Sequence, residues 1–203
     1  MIMTDTDVYR YLIDVVQPIY ADLVAALGEK PTQVVFQFEA AFVHLAVAQL
    51  NADVQQENLR KALHHLQRAA LDSVKILWLH KKRQIAKVID DRDIRKFCIN
   101  LSESRLMEAY RDAEEKAREA RRIEVSGTGV DPNAAVTAYY SAVLAFDEVL
   151  QAIDDDKIQQ FQRYRLIYIL RTQSSGFVMG ILSSLATTGL LALVAWFVAN
   201  KLS

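Results

Sequence analysis

Apolar residues recur at helical spacing along almost the whole chain, and the period changes only where a breaker intervenes. Val8, Leu12, Val15, Val16, Ile19, Tyr20, Leu23 and Leu27 predict a first helix, capped by Asp5 or Thr6, stopped by Gly28 and bent by Pro18. Pro31 is placed to open a second helix from about Thr32 to Leu50. Its Val34, Val35, Phe36, Phe38, Phe42, Val43, Leu45 and Val47 cover most of the circumference, which predicts a largely buried helix. A third begins at Asn51 or Asp53 and meets no breaker before about Lys96; its seam is Leu59, Leu63, Leu66, Ala70, Val74, Leu77, Ile85, Val88 and Ile89.

Asn100 and Glu103 form a weak capping-box signal for a fourth helix, from about Ser102 to Glu124. It is charged on nearly every side, with pairs such as Asp112–Lys116 and Glu114–Arg118. Its thin line of Leu106, Tyr110, Ala113, Ala117 and Ala120 predicts a helix facing solvent or a partner. The turn-forming cluster Ser126 to Pro132 then marks a boundary. Asp131 caps and Pro132 opens a last long helix that continues toward the C-terminus, with a break expected at Asp154–Asp156. The expected class is all-α: a helical bundle over 1–125, a linker at 126–131, a long juxtamembrane helix over 132–173 and a transmembrane helix over 174–200.

That span rests on the strongest pattern in the sequence. From Thr172 through Asn200 there is no charged side chain. About 24 helical residues reach ~36 Å, enough to cross a bilayer with some tilt. Within the run Gly176, Gly180, Ser184, Thr188 and Ala192 recur at every fourth position, with Ser183 and Thr187 beside them. Lipid has no need of small side chains, whereas a neighbouring helix packs closely against them and bonds to their hydroxyls. The reading is therefore a self-associating anchor: either a ring of four or more helices lining a hydroxylated pore, or a dimer using the same residues as glue. Arg163, Arg165, Tyr168 and Arg171 precede the span as a headgroup-layer belt, and only Lys201 follows it. The positive-inside bias puts the N-terminal part in the cytoplasm, as a single-pass tail anchor.

Composition narrows the field further. The chain has 203 residues, 6 Gly and 3 Pro, so long helices with few turns are expected. Its formal net charge of −1 supplies no field to recruit nucleic acid over the whole surface. Binding of a phosphate-bearing nucleotide or oligonucleotide would need a local patch; Lys81, Lys82 and Arg83 are the candidate, with Trp78 beside them to stack or to pack in the bundle. Cys98 is alone, which excludes an intrachain disulfide. The first residues lack the basic leader and apolar core of a secretory signal. His44, His64, His65 and His80 form no metal-ligand spacing, no phosphate-loop or nucleophile motif occurs, and no cofactor or metal is expected. His44, on an apolar helix, reads as a satisfied core or interface histidine.

Two resemblances bear on function. Arg60 with His65, in NLRKALHHLQR, resembles the Arg-x4-His motif of the HEPN superfamily of helical RNases. That resemblance implies a dimer cleaving RNA without metal, although on an ideal helix five residues advance about 140°, so Arg60 lies nearer the face of His64. The layout as a whole resembles the small membrane effectors of bacterial antiphage systems, Hailong-type effectors and the membrane accessory proteins of RNA-targeting CRISPR systems among them. It implies a homo-oligomer whose spans form a pore, gated by the cytoplasmic bundle through a nucleotide signal or a partner protein encoded nearby. A tail-anchored scaffold or adaptor and a membrane-tethered RNase are the alternatives.

Overall fold

A computed structural model of the chain describes residues 2–127 and 132–166. The described residues are all-α, apart from one isolated antiparallel bridge between Ile99 and Ile153. They divide into one compact unit, Met1–Asp154, and a second beginning at Asp155.

Helix α1 (Asp5–Tyr11) is capped by Thr4, not by Asp5 or Thr6. The Thr4 hydroxyl accepts from the Asp7 N–H while the Asp7 carboxylate reaches back to the Thr4 N–H, so two orphan donors are satisfied at once. The rod continues through a π turn (Leu12–Val16) into α2 (Gln17–Leu27). Pro18 explains the wide turn. Its ring crowds the carbonyl four residues back and donates nothing, so the Gln17 N–H bonds instead to the Leu12 carbonyl. Gly28 ends the rod in the left-handed conformation, φ 73°.

Helix α3 (Thr32–Leu50) has the expected bounds but not the expected burial. Only Val34, Ala41, Leu45 and Ala48 are buried, while Phe36 is 61%, Val43 60% and Leu50 87% exposed. The circumferential apolar pattern comprises two opposite seams, and the bundle occupies one.

Helix α4 (Gln55–Ile89) follows a short 3-10 turn (Ala52–Val54) and forms the central rod of the unit. Packed on it are α3, α7 and the α1–α2 rod. It stops before Lys96 because the Asp91 carboxylate accepts from the N–H groups of Asp93 and Ile94, starting a separate short helix, α5 (Arg92–Phe97).

Helix α6 (Glu103–Ser126) is capped by the Ser102 hydroxyl on the Arg105 N–H. Its Leu106, Ala113, Ala117 and Ala120 line is not bathed in solvent. It is buried, and α7 (Pro132–Gln151) packs on α6 with its own small residues Ala135, Ala142 and Ala145 buried. Alanine on both helices lets the backbones approach, which is why so thin an apolar line suffices. The Asp112–Lys116 pair forms at 2.7 Å, but Glu114 pairs with Lys82 of α4 instead of Arg118.

The last helix is two. Helix α7 ends at Gln151, inside the unit begun at the N-terminus, and residues 155–166 form a further helix. Between them the Asn100 N–H donates to the Ala152 carbonyl (2.9 Å) and the Asp154 N–H to the Cys98 carbonyl (3.0 Å). Those bonds take backbone groups that a continuous helix would have used internally.

Candidate functional site

The cationic cluster expected at Lys81, Lys82 and Arg83 is largely spent on the bundle. Lys81 pairs with Asp147 of α7, and Lys82 with Glu114 of α6 at 2.8 Å. Lys82 Nζ and the Arg121 guanidinium also lie 5.8 Å from the Trp78 ring. Trp78 itself is buried, 5.7 Å from the Tyr139 ring centroid. Arg83 is exposed and lacks an ion-pair partner among the described residues. Two of the three cations thus hold α4 to α6 and α7, and the tryptophan packs where stacking on a base would require it to be open.

A second group of basic side chains lies on the first half of α4. Arg60, Lys61, His64, His65 and Arg68 line a shallow groove of about 310 Å³. Arg60, His64 and Arg68 stand at successive fourth positions and so share a stripe of the helix. Lys61 is held by Glu57 at 2.5 Å. The groove brings Arg60 together with both His64 and His65, so the angular separation expected of Arg60 and His65 does not keep them on different surfaces.

His65 is tied to α3. Its Nδ1 lies 2.8 Å from Gln37 Oε1, and His44 Nδ1 on α3 lies 2.9 Å from Asn58 Oδ1 on α4. Each helix therefore lends one imidazole and one amide to the other. With the amide oxygens as acceptors, both rings carry their proton on Nδ1, leaving Nε2 free to accept. Burial, and then the positive neighbours His44, Arg68 and His64, lower the pKa of His65 below the ordinary 6.5. A neutral imidazole beside Arg60 and Arg68, neither in an ion pair among the described residues, has the elements of a proton acceptor next to an anion holder. His44 is a satisfied interface histidine, as its apolar surroundings suggest.

A second polar centre had no signal in the sequence. Tyr139 Oη donates to Glu124 Oε2 (2.8 Å) and Lys75 Nζ to Glu124 Oε1 (2.7 Å), joining α4, α6 and α7. Burial and the bond to Glu124 push Tyr139 up to about 12. Burial works to raise Glu124, but the Lys75 and Tyr139 hydrogen bonds outweigh it and hold the carboxyl below its usual range. The spacing of these residues along the chain follows no motif, so only the fold brings them together.

Arg163 and Arg165 lie on the exposed helix 155–166, along with Tyr164 and Leu166, which are 71% and 61% exposed. Tyr168, Arg171, Gly176, Gly180, Ser183, Ser184, Thr187, Thr188 and Ala192 lie outside the described residues. Among the described residues the helix long and apolar enough to cross a membrane is Thr32–Leu50, toward the N-terminus, and not a C-terminal one. Its buried seam against α4 is that of a bundle helix. The described residues also hold no cluster of three metal-ligating side chains.

Fold and site define a class no narrower than an all-α helical bundle with a basic groove on its central helix. No family model, curated protein or solved structure matches the chain.

Proposed function

We propose that this chain is a membrane-anchored, self-associating effector whose spans assemble into an ion pathway, with the helical bundle on the cytoplasmic side as its regulatory part. The observation that carries the reading is the charge-free run from Thr172 to Asn200 with Gly176, Gly180, Ser184 and Thr188 at every fourth position. The exposed Tyr164, Arg163 and Arg165 on the helix that precedes the run suit a headgroup layer. A bundle whose α6–α7 contact is an alanine seam, tied to α4 by interhelical ion pairs, can shift between two packings, and a trigger need only bind one of them better. The resemblance to antiphage membrane effectors gives such a trigger a biological setting. The test is ion flux from liposomes carrying the purified chain: wild type releases the ion, and Gly180→Leu or Ser184→Leu does not. No release by the wild type would leave only an anchor, as in a scaffold, and equal release by all three chains would contradict a pathway built on the small-residue stripe.

The shared groove of Arg60, His64 and His65 favours a second reading, metal-independent RNA cleavage by a membrane-tethered enzyme. It predicts RNA degradation in chelator that is abolished by His65→Ala and unaffected by Gly180→Leu.

A further inference from the structure

We propose that the groove on the first half of α4 binds a short phosphate chain, a di- or triphosphate that is free or carried on a nucleoside. Arg60, His64 and Arg68 stand exposed at successive fourth positions, over about 12 Å of helix axis. Neither arginine is in an ion pair among the described residues. Two rigid guanidinium forks match phosphate oxygens, and about 310 Å³ is the size of a small-ligand site. The field at the floor of the groove is positive. Beyond burial, the groups that lower the pKa of His65 are positive neighbours: His44 of α3, and Arg68 and His64 of α4.

The residues around the stripe set what fits it. Glu57 stands one turn before Arg60 and holds Lys61, and Asp72 stands one turn after Arg68. A long polyanion laid along the helix meets a carboxylate at either end, whereas a chain of two or three phosphates stops short of both. No Phe, Tyr or Trp is among the lining residues, and the His65 ring is already stacked on His44. A base therefore has at most the His64 ring to stack on, and recognition rests on the phosphates. The larger groove at the end of α6, about 490 Å³ and lined by Arg118, Arg121 and Arg122 among others, is a poorer holder. Its arginines are engaged: Arg118 by the Glu114 carbonyl, Arg122 by Glu119, and Arg121 over the Trp78 ring. It also lies at a helix C-terminus, where free carbonyls repel an anion.

As the site of the trigger, the groove rests on the membrane-effector reading. The binding itself does not, and it is measured without ion flux, so the two fail separately. The test is calorimetric titration of tripolyphosphate into the full chain in phosphatidylcholine nanodiscs at physiological salt. The wild type is expected to bind, and Arg60→Gln and Arg68→Gln each to weaken binding by about tenfold, the worth of a charge-assisted hydrogen bond. Arg83→Gln, the same loss of charge at an exposed site toward the other end of α4, should bind as the wild type does. No binding by the wild type, or equal weakening by Arg83→Gln, would overturn the site. A nucleoside triphosphate should bind within a few-fold of tripolyphosphate, and far tighter binding would overturn recognition through phosphate alone. A single-stranded RNA that displaces tripolyphosphate at much lower concentration would overturn the short-chain ligand and hand the groove to the RNase reading.

Discussion

The rings of His44 and His65 stack with centroids 5.4 Å apart and planes 17° from parallel, and each hydrogen-bonds a side-chain amide of the other helix, locking α3 to α4. Protonating either ring would place a cation against its neighbour and beside Arg68. Because the pKa of His65 is lowered on folding, the unfolded chain binds more protons in the window just below 6.5. Stability is therefore full above that value and falls as pH drops from 6.5 toward the lowered folded value. Thermal melts from pH 8 to pH 5 should show this fall, and His65→Phe, which keeps a stacked ring and removes the titration, should flatten it. An equal slope in both proteins would contradict the assignment.

Tyr139→Phe removes a side-chain hydrogen bond to the half-buried Glu124 carboxylate, which Lys75 also holds. The expected loss is about 1 kcal/mol in urea unfolding, the net value of one hydrogen bond to a carboxylate that water can still reach. The wild type should also lose stability as pH rises from the ordinary tyrosine value of 10 toward about 12, because the folded protein holds that proton more tightly than the unfolded chain. In Tyr139→Phe that alkaline loss should shrink.

Gly28 offers a backbone test free of packing. A methyl group there would meet nothing within 4 Å, yet φ is 73°. Gly28→Ala should thus cost about 1 kcal/mol from the left-handed backbone alone. Phe146→Ala, at a fully buried position in the α7 seam, should cost about 3–5 kcal/mol. Comparable losses from the two would contradict this account of the rod's end.

Lys81→Ala should weaken the bundle by about 1 kcal/mol, because it strands Asp147 on α7. Arg83→Ala, at an exposed site without an ion-pair partner among the described residues, should leave the melting temperature unchanged. A double-mutant cycle of Lys81 and Asp147 separates their coupling from the effect of either truncation.

Helix existence was legible wherever a local signal fixed it. Thr32–Leu50 was bounded by Pro31 and a lost period, and Gly28 announced its own αL turn. The errors came where one local signal can be read in two ways. Asp91 sits in a run of charges, and nothing short of its carboxylate bonding two N–H groups marks it as a cap that ends α4. The outer stripe of α3 was present as apolar residues, but periodicity cannot distinguish a helix buried all round from one with two opposite seams. The α6 alanine line looked too thin to pack because alanine contributes little area; its value is close approach to α7, a property of the pair. Lys81 and Lys82 read as a phosphate patch because Asp147 and Glu114 are distant in sequence. The same holds for the groove: Arg60 and His65 are visible as a motif, whereas Gln37 and His44, which set the state of His65, arrive only with the packing of α3.

The central claim is tested most directly by membrane potential. The full chain is expressed inducibly in bacteria with a potential-sensitive dye, beside Gly180→Leu and His65→Ala. The pore account predicts depolarisation by the wild type and by His65→Ala, lost only in Gly180→Leu. Depolarisation that persists in Gly180→Leu, or growth arrest abolished only by His65→Ala with the potential intact, would contradict it.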